Sequence, residues 1–307
     1  MPRLMSGWIQ RIPKHIEIYS IIKQFILQII TFFDAMVGPS MWLKIYYAFT
    51  QLRWPSIAAG IIITGVFYAV YKDSENRYNK KLILTFTLLT FLSFGMFAIT
   101  GMYPQMAFNL GNRVTIFGSL LMAYLIALIP VGHKWRTLIF SVLIFCILGI
   151  SDHWKAWNLE QQKVIFNMKN NKDLVNYSGS EIIYISGNQY SQYGPLSHIE
   201  FLSESWVPRS ICSILFDKGR AVASLNRRHL YKNGYLLDAK YNRKARVDDC
   251  IYVYDSENNI LIKVESEKIN SYIESLPPDN RHWIQLLNIK VIKVLILRLM
   301  PRLKYAL

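Results

Sequence analysis

The chain is 307 residues long, 52% hydrophobic and 18% charged, with a formal net charge of +15. That blend excludes an ordinary soluble enzyme and a wholly buried bundle alike, so the two characters must occupy different stretches. Apolar runs crowd residues 54–150, and charged residues thicken after Ser151.

The N-terminal region 1–53 is amphipathic or interfacial. Within it, residues 16–33 are apolar except for Glu17, Ser20, Lys23, Gln24, Gln28 and Thr31. This pattern predicts an interfacial or bundle-packed helix, with a fifth span as the alternative. The membrane domain 54–151 follows. A helix crosses the hydrocarbon core with about 20 apolar residues, within a range of roughly 17–25. Runs 54–71, 82–103 and 114–132 meet that test without a charged residue. Run 137–150 is shorter, but Lys134 and Arg136 can snorkel and Trp135 can sit in the interface, which extends it to a span. The fold class is therefore an α-helical polytopic bundle of four or five spans, followed by a small mixed α/β soluble domain and a basic amphipathic C-terminal helix.

Loop charge predicts orientation. Loop 72–81 carries Lys72, Arg77, Lys80 and Lys81, and the next basic turn carries Lys134 and Arg136, whereas the loop between them, 104–113, carries only Arg113. The basic loops belong in the cytoplasm. Parity then places loop 104–113 outside, together with the soluble domain 152–281. The expected location is a multi-pass cell membrane protein with that domain extracytoplasmic.

Within 152–281, residues 152–171 predict a helix with Trp154, Trp157, Val164, Ile165 and Met168 on one side and Ser151 or Asp152 as its cap. Residues 182–185, 250–254 and 260–264 predict strands, the last two forming a hairpin through 255–259. Residues 267–276 predict a helix stopped by Pro277 and Pro278. The tail, 282–307, has Lys290, Lys293, Arg298, Arg302 and Lys304 within about half of a helical wheel, which suits an anionic leaflet. Packing of that helix on the soluble domain is the alternative.

The positive charge does not point to nucleic acid. Residues 1–151 hold 13 basic and 4 acidic side chains, 152–281 hold 17 and 16, and the tail holds 5 and none. Topology and tail account for the excess, and no nucleic-acid-binding signature is present. Membrane lipids are the expected partners. Three cysteines occur: Cys146 in the fourth apolar run, and Cys212 and Cys250, which are candidates for a disulfide in an exported domain, with buried free thiols as the alternative. Their spacing matches no metal site, and no cofactor is implied.

Several residues are candidates for binding. Arg113, with Asn112 beside it, ends the short outer loop and is suited to a lipid-linked phosphate, or else anchors a helix end. Trp154 and Trp157 offer a sugar-stacking platform or an aromatic belt. His198 and Glu200 offer a histidine and a carboxylate for a glycan or partner contact, or belong to a structured turn. Residues 220–246 hold eight basic side chains and one acidic one, which suits lipid phosphates, an acidic glycan or a solvated face. No catalytic motif is evident.

Asn109-Leu110-Gly111-Asn112-Arg113 before a span, Asp152-His153-Trp154-Lys155-Ala156-Trp157 with Gln161-Gln162, and Gln189-Tyr190-Ser191-Gln192-Tyr193-Gly194-Pro195 with His198-Ile199-Glu200 carry a resemblance. Over about residues 54–276 the chain resembles the C-terminal part of uncharacterised bacterial polytopic membrane proteins of surface-polysaccharide synthesis, broadly similar to C-type glycosyltransferases. The resemblance implies envelope polysaccharide or glycolipid assembly with a polyprenyl-phosphate-linked sugar. Those enzymes carry an acidic motif in the first outer loop of a longer bundle; here only Asp34 lies near a comparable place, without a paired carboxylate, as expected of a truncated or split relative. The alternative is a non-enzymatic membrane-anchored module whose exported domain binds a glycan or protein partner.

Overall fold

A computed structural model describes residues 18–71, 78–100, 116–179, 181–193, 196–216, 221–238 and 243–277, with Val294, Leu297 and Arg298. They form two compact units, a helical one up to His153 and a mixed one within Trp154–Arg281. The expected tail helix, most of loop 72–81 and the loop carrying Asn112 and Arg113 lie outside the described residues.

The helical unit contains α1 (Ile18–Met36), α2 (Pro39–Gln51), α3 (Trp54–Val70), α4 (Lys80–Thr100), α5 (Ile116–Leu128) and the first half of α6 (His133–Asn170). Three of them, α1, α4 and α6, are long and apolar enough to cross a membrane, and α2 with α3 qualifies as a fourth, bent by 116°. The 114–132 run is represented by α5, only 13 residues long and stopped short of Pro130.

α1 packs against α4 and α5, and polar side chains that make it look unsuited to lipid turn inward. Gln28 and Thr31 are buried. The Thr31 hydroxyl donates to the Leu27 carbonyl at 2.8 Å, which satisfies it within its own helix. Phe32 and Phe94 form the centre of this packing. Gly118 on α5 lies directly under the Phe32 ring, and Gly149 on α6 directly under the Ala48 backbone, so small residues permit both approaches.

The bend between α2 and α3 also has a local cause. Leu52 and Arg53 are extended and Pro55 occupies the first turn of α3. The Arg53 amide, lost to the helix ladder, donates to Asp152 Oδ2 at 2.9 Å. Asp152 is therefore no helix cap. α6 runs unbroken for 38 residues, about 57 Å at 1.5 Å per residue, and merges the expected 137–150 span with the expected 152–171 helix. No proline or glycine separates them after Gly149. At the other corner, the Asp34 carboxylate accepts the Ser40 hydroxyl at 2.5 Å and its amide at 3.2 Å, tying the end of α1 to the start of α2.

The mixed unit is built on a four-stranded sheet. Central β1 (Ile183–Ser186) runs parallel to β4 (Val222–Ser224) on one side and β8 (Cys250–Asp255) on the other, and β9 (Ile260–Glu265) pairs antiparallel with β8. The predicted hairpin is present: Asp255 accepts the Glu257 amide at 3.0 Å and Asn259 takes a positive φ of 57°. A β2–β3 hairpin (Tyr190–Tyr193, Leu196–Glu200) and a β5–β6–β7 meander (His229–Lys232, Tyr235–Asp238, Arg243–Arg246) complete the strands.

The period-2 alternation of β1 divides two cores. Ile183 and Ile185 face one core with Val164 and Met168 of α6, Leu174 of α7 (Lys172–Asn176), Cys212 of α8 (Trp206–Leu215), Val222 and Tyr254. Tyr184 faces the other with Leu236 of the meander, Val253, and Ile269 and Ile273 of α9 (Ile269–Ser275). The unit is thus layered, helices on one face of the sheet and the meander with α9 on the other.

Candidate functional site

The meander begins at a buried ionic cluster. Asn233-Gly234, both with positive φ (53° and 74°), close the β5–β6 hairpin and bring His229 opposite Asp238. Just before β5, Arg228 reaches inward. Its two terminal nitrogens lie 3.2 and 3.3 Å from the Glu204 carboxylate oxygens, and its Nε lies 3.3 Å from Asp238 Oδ1. It also donates to the Ser203 carbonyl at 3.0 Å, which accepts from Asn226 Nδ2 at 3.0 Å as well. His229 Nε2 stands 3.8 Å from Asp238 Oδ2, and its Nδ1 lies 3.0 Å from Asn226 Oδ1. Two buried carboxylates are thus held by one forked guanidinium, the arrangement that makes burying charge tolerable.

His229 and Asp238 of this cluster line a cleft of about 180 Å³ at the β4 edge of the sheet. Tyr184, Ala223, His229, Leu236 and Asp238 contribute to its wall, with Ser205 and Arg209 from the start of α8 and the Arg243–Ala245 segment of β7. The Ser205 hydroxyl accepts the Ser224 amide at 3.1 Å, so the outward edge of β4 is partly capped. Burial pushes the Tyr184 phenol up to about 12, which keeps it protonated and able to donate near neutral pH.

Two exposed arginines, Arg209 and Arg243, therefore border the cleft, Arg243 directly across the strands from Asp238, whereas the Lys244 side chain alternates to the other face of β7 with its Nζ over the Tyr235 ring. The one carboxylate of the cleft, Asp238, is paired with Arg228. The start of α8 has no acidic residue in its first turn, so the positive helix end adds to the same field. A cleft rimmed by guanidinium groups is chemically suited to an anion.

The expected site residues distribute differently. Trp154 is exposed on α6, whereas Trp157 packs edge-on against Phe201 with ring centroids 6.0 Å apart, within the first core, and offers no stacking platform. Glu200 is exposed at the end of β3, opposite Tyr190; the side chain of His198 lies outside the described residues. Part of the 220–246 basic stretch does line the cleft, through Arg243 and Lys244. Sequence reasoning missed Arg209, Tyr184 and the Glu204–Arg228–Asp238–His229 cluster, which come from four separate segments. The Asn233-Gly234 turn was the one signal that marked the meander.

Cys212 and Cys250 are not joined by a disulfide. Cys212 belongs to the core containing Tyr254, four residues along β8 from Cys250.

Among the described residues no group of three or more His, Cys, Asp or Glu is placed to hold a metal ion. The chain matches no family model, no curated protein and no solved structure. Fold and site together define a class: apolar helices compatible with membrane spans, joined to a small mixed α/β unit that bears a cationic cleft.

Proposed function

We propose that the protein is an envelope membrane protein of polysaccharide or glycolipid assembly, and that its mixed unit, exported by the helices, retains an anionic glycan or the phosphate of a lipid-linked sugar in the cleft. The observation that carries this reading is the position of two arginines, Arg209 and Arg243, on one concave surface. Guanidinium groups grip carboxylates and phosphates through two parallel hydrogen bonds, and both cations are arginines.

A binding module is favoured over glycosyl transfer. The carboxylate at the cleft, Asp238, and the nearby Glu204 are both engaged by Arg228, which ties them into the fold. The basic loops 72–81 and 134–136 favour export of the mixed unit by the positive-inside rule.

The test is complementation of a deletion strain's surface-glycan profile by the double variant Arg209→Ala, Arg243→Ala at matched membrane abundance. Failure to restore the profile is expected. Full restoration contradicts the role of the cleft.

A further inference from the structure

We propose that the cleft takes a phosphomonoester, carried on a sugar or a lipid, and that the hydroxyls of Tyr184 and Ser205 bind it together with Arg209 and Arg243; this rests on the anion-binding reading of the same cleft and narrows it. All four residues line the cleft. Tyr184 stands opposite Ala223 in the parallel β1–β4 register, and the small Ala223 side chain, also in the cleft wall, leaves the surface beside the phenol open. The Leu225 amide donates to Ile185 of β1, so the Ser224 amide faces the outer edge of β4, where it donates to Ser205 Oγ at 3.1 Å. Tyr184 and Ser205 therefore flank Ala223 from its two sides. Neither hydroxyl proton is used within the fold. Tyr184 is 5% exposed, yet its hydroxyl has no hydrogen-bond partner among the described residues, whereas the hydroxyl of the likewise buried Tyr254 donates to Asn259 Oδ1 at 2.7 Å. Ser205 Oγ accepts the Ser224 amide, and no acceptor among the described residues takes its proton. Buried phenols ordinarily find a partner, so a donor left over at a cleft wall is explained by a ligand.

A phosphomonoester fits this donor set better than a carboxylate. The Arg209 fork offers two parallel N–H groups and each hydroxyl one O–H, which together fill the about four lone-pair sites of a carboxylate. Arg243 is then left for the third terminal oxygen, which a phosphomonoester has and a carboxylate lacks. The Asp238 carboxylate in the same wall is offset by Arg228 Nε at 3.3 Å, which reduces its repulsion of an anion. The volume of about 180 Å³ lies below the range of roughly 300–1,000 Å³ that suits drug-sized ligands, so the phosphoryl group enters while the rest of its molecule stays outside.

The test uses the full chain in detergent micelles, titrated at neutral pH with glucose 6-phosphate, dimethylallyl phosphate and glucuronate. Both phosphomonoesters are expected to bind about tenfold more tightly than glucuronate, or better. Tyr184→Phe changes no charge and keeps the ring in the core, so it reports a hydrogen bond and not the general field; it should weaken both phosphomonoesters by about tenfold. Arg209→Lys keeps the charge and loses the fork, and should weaken them by about fivefold. An unchanged denaturation midpoint at the same pH checks that each variant is folded. Tighter binding of dimethylallyl phosphate names a lipid as the carrier of the phosphoryl group, and tighter binding of glucose 6-phosphate names a glycan; either supports the inference. Phosphomonoester binding undiminished by Tyr184→Phe overturns the role of that hydroxyl. Glucuronate bound as tightly as the phosphomonoesters overturns the choice of phosphate and leaves the anion-binding reading standing. Binding of no probe overturns both readings.

Discussion

Arg228 grips Glu204 with both terminal nitrogens, at 3.2 and 3.3 Å, while its Nε faces Asp238 at 3.3 Å. All three side chains are about nine-tenths buried, so removing the guanidinium strands two carboxylates away from water. Arg228→Met should destabilise the mixed unit by about 3–5 kcal/mol, whereas Arg228→Lys should recover part of that loss. Chemical denaturation of the full chain in micelles, followed by tryptophan fluorescence, measures both. An unchanged midpoint for Arg228→Met would show that the cluster contributes nothing to folding.

Gly118 lies beneath Phe32, whereas Gly65 on α3 has nothing near its missing side chain. Gly118→Leu should cost about 1–3 kcal/mol by forcing α1 and α5 apart. Gly65→Ala should be neutral or gain up to about 1 kcal/mol from helix propensity. Thermal unfolding of the two variants in the same detergent distinguishes close helix packing from loose association; equal melting points would contradict the packing.

How much of this was legible in the sequence depends on the range of the interactions involved. The apolar helices, the β8–β9 hairpin and the helix at 269–275 rest on local periodicity and turn residues, and the structure contains them. The α1 helix could be read but not its partners, because Gln28 and Thr31 look unfavourable until α4 and α5 cover them. The cap expected at Ser151 or Asp152 is absent because α6 runs through both positions, and the Asp152 carboxylate instead accepts the amide of Arg53, 99 residues earlier in the chain. The meander strands are short and basic, so their composition resembles a solvated loop, and the cleft they border exists only through tertiary assembly. Trp157 looked like half of a binding platform because the sequence does not reveal that Phe201 lies against it.

Two tyrosines should make the mixed unit sensitive to alkali. Burial pushes Tyr184 and Tyr254 up to about 12, and for Tyr254 the Asp255 carboxylate adds to the effect. An unfolded tyrosine titrates near pH 10. Because the folded values are raised, the stabilisation from the neutral phenols is fully present below about pH 10 and is lost as pH climbs toward about 12. Denaturation midpoints of the full chain should fall across that window, and less steeply for Tyr184→Phe. Identical slopes for variant and parent would contradict the assignment to Tyr184.

The thiols of Cys212 and Cys250 should both react with a maleimide after denaturation without reductant, in protein taken directly from membranes. Mass spectrometry reads the modification. A recovered Cys212–Cys250 peptide pair would show a bridge where the structure has none.

The cleft meets an envelope glycan only where the mixed unit stands outside the cytoplasm. A reporter enzyme that matures only outside the cytoplasm, fused after Asn171, should be active, and the same reporter fused within residues 72–81 should be silent, as the four basic residues of that loop predict. The reverse pattern, silent after Asn171 and active within 72–81, would place the cleft inside the cell and contradict the proposed role in envelope glycan assembly.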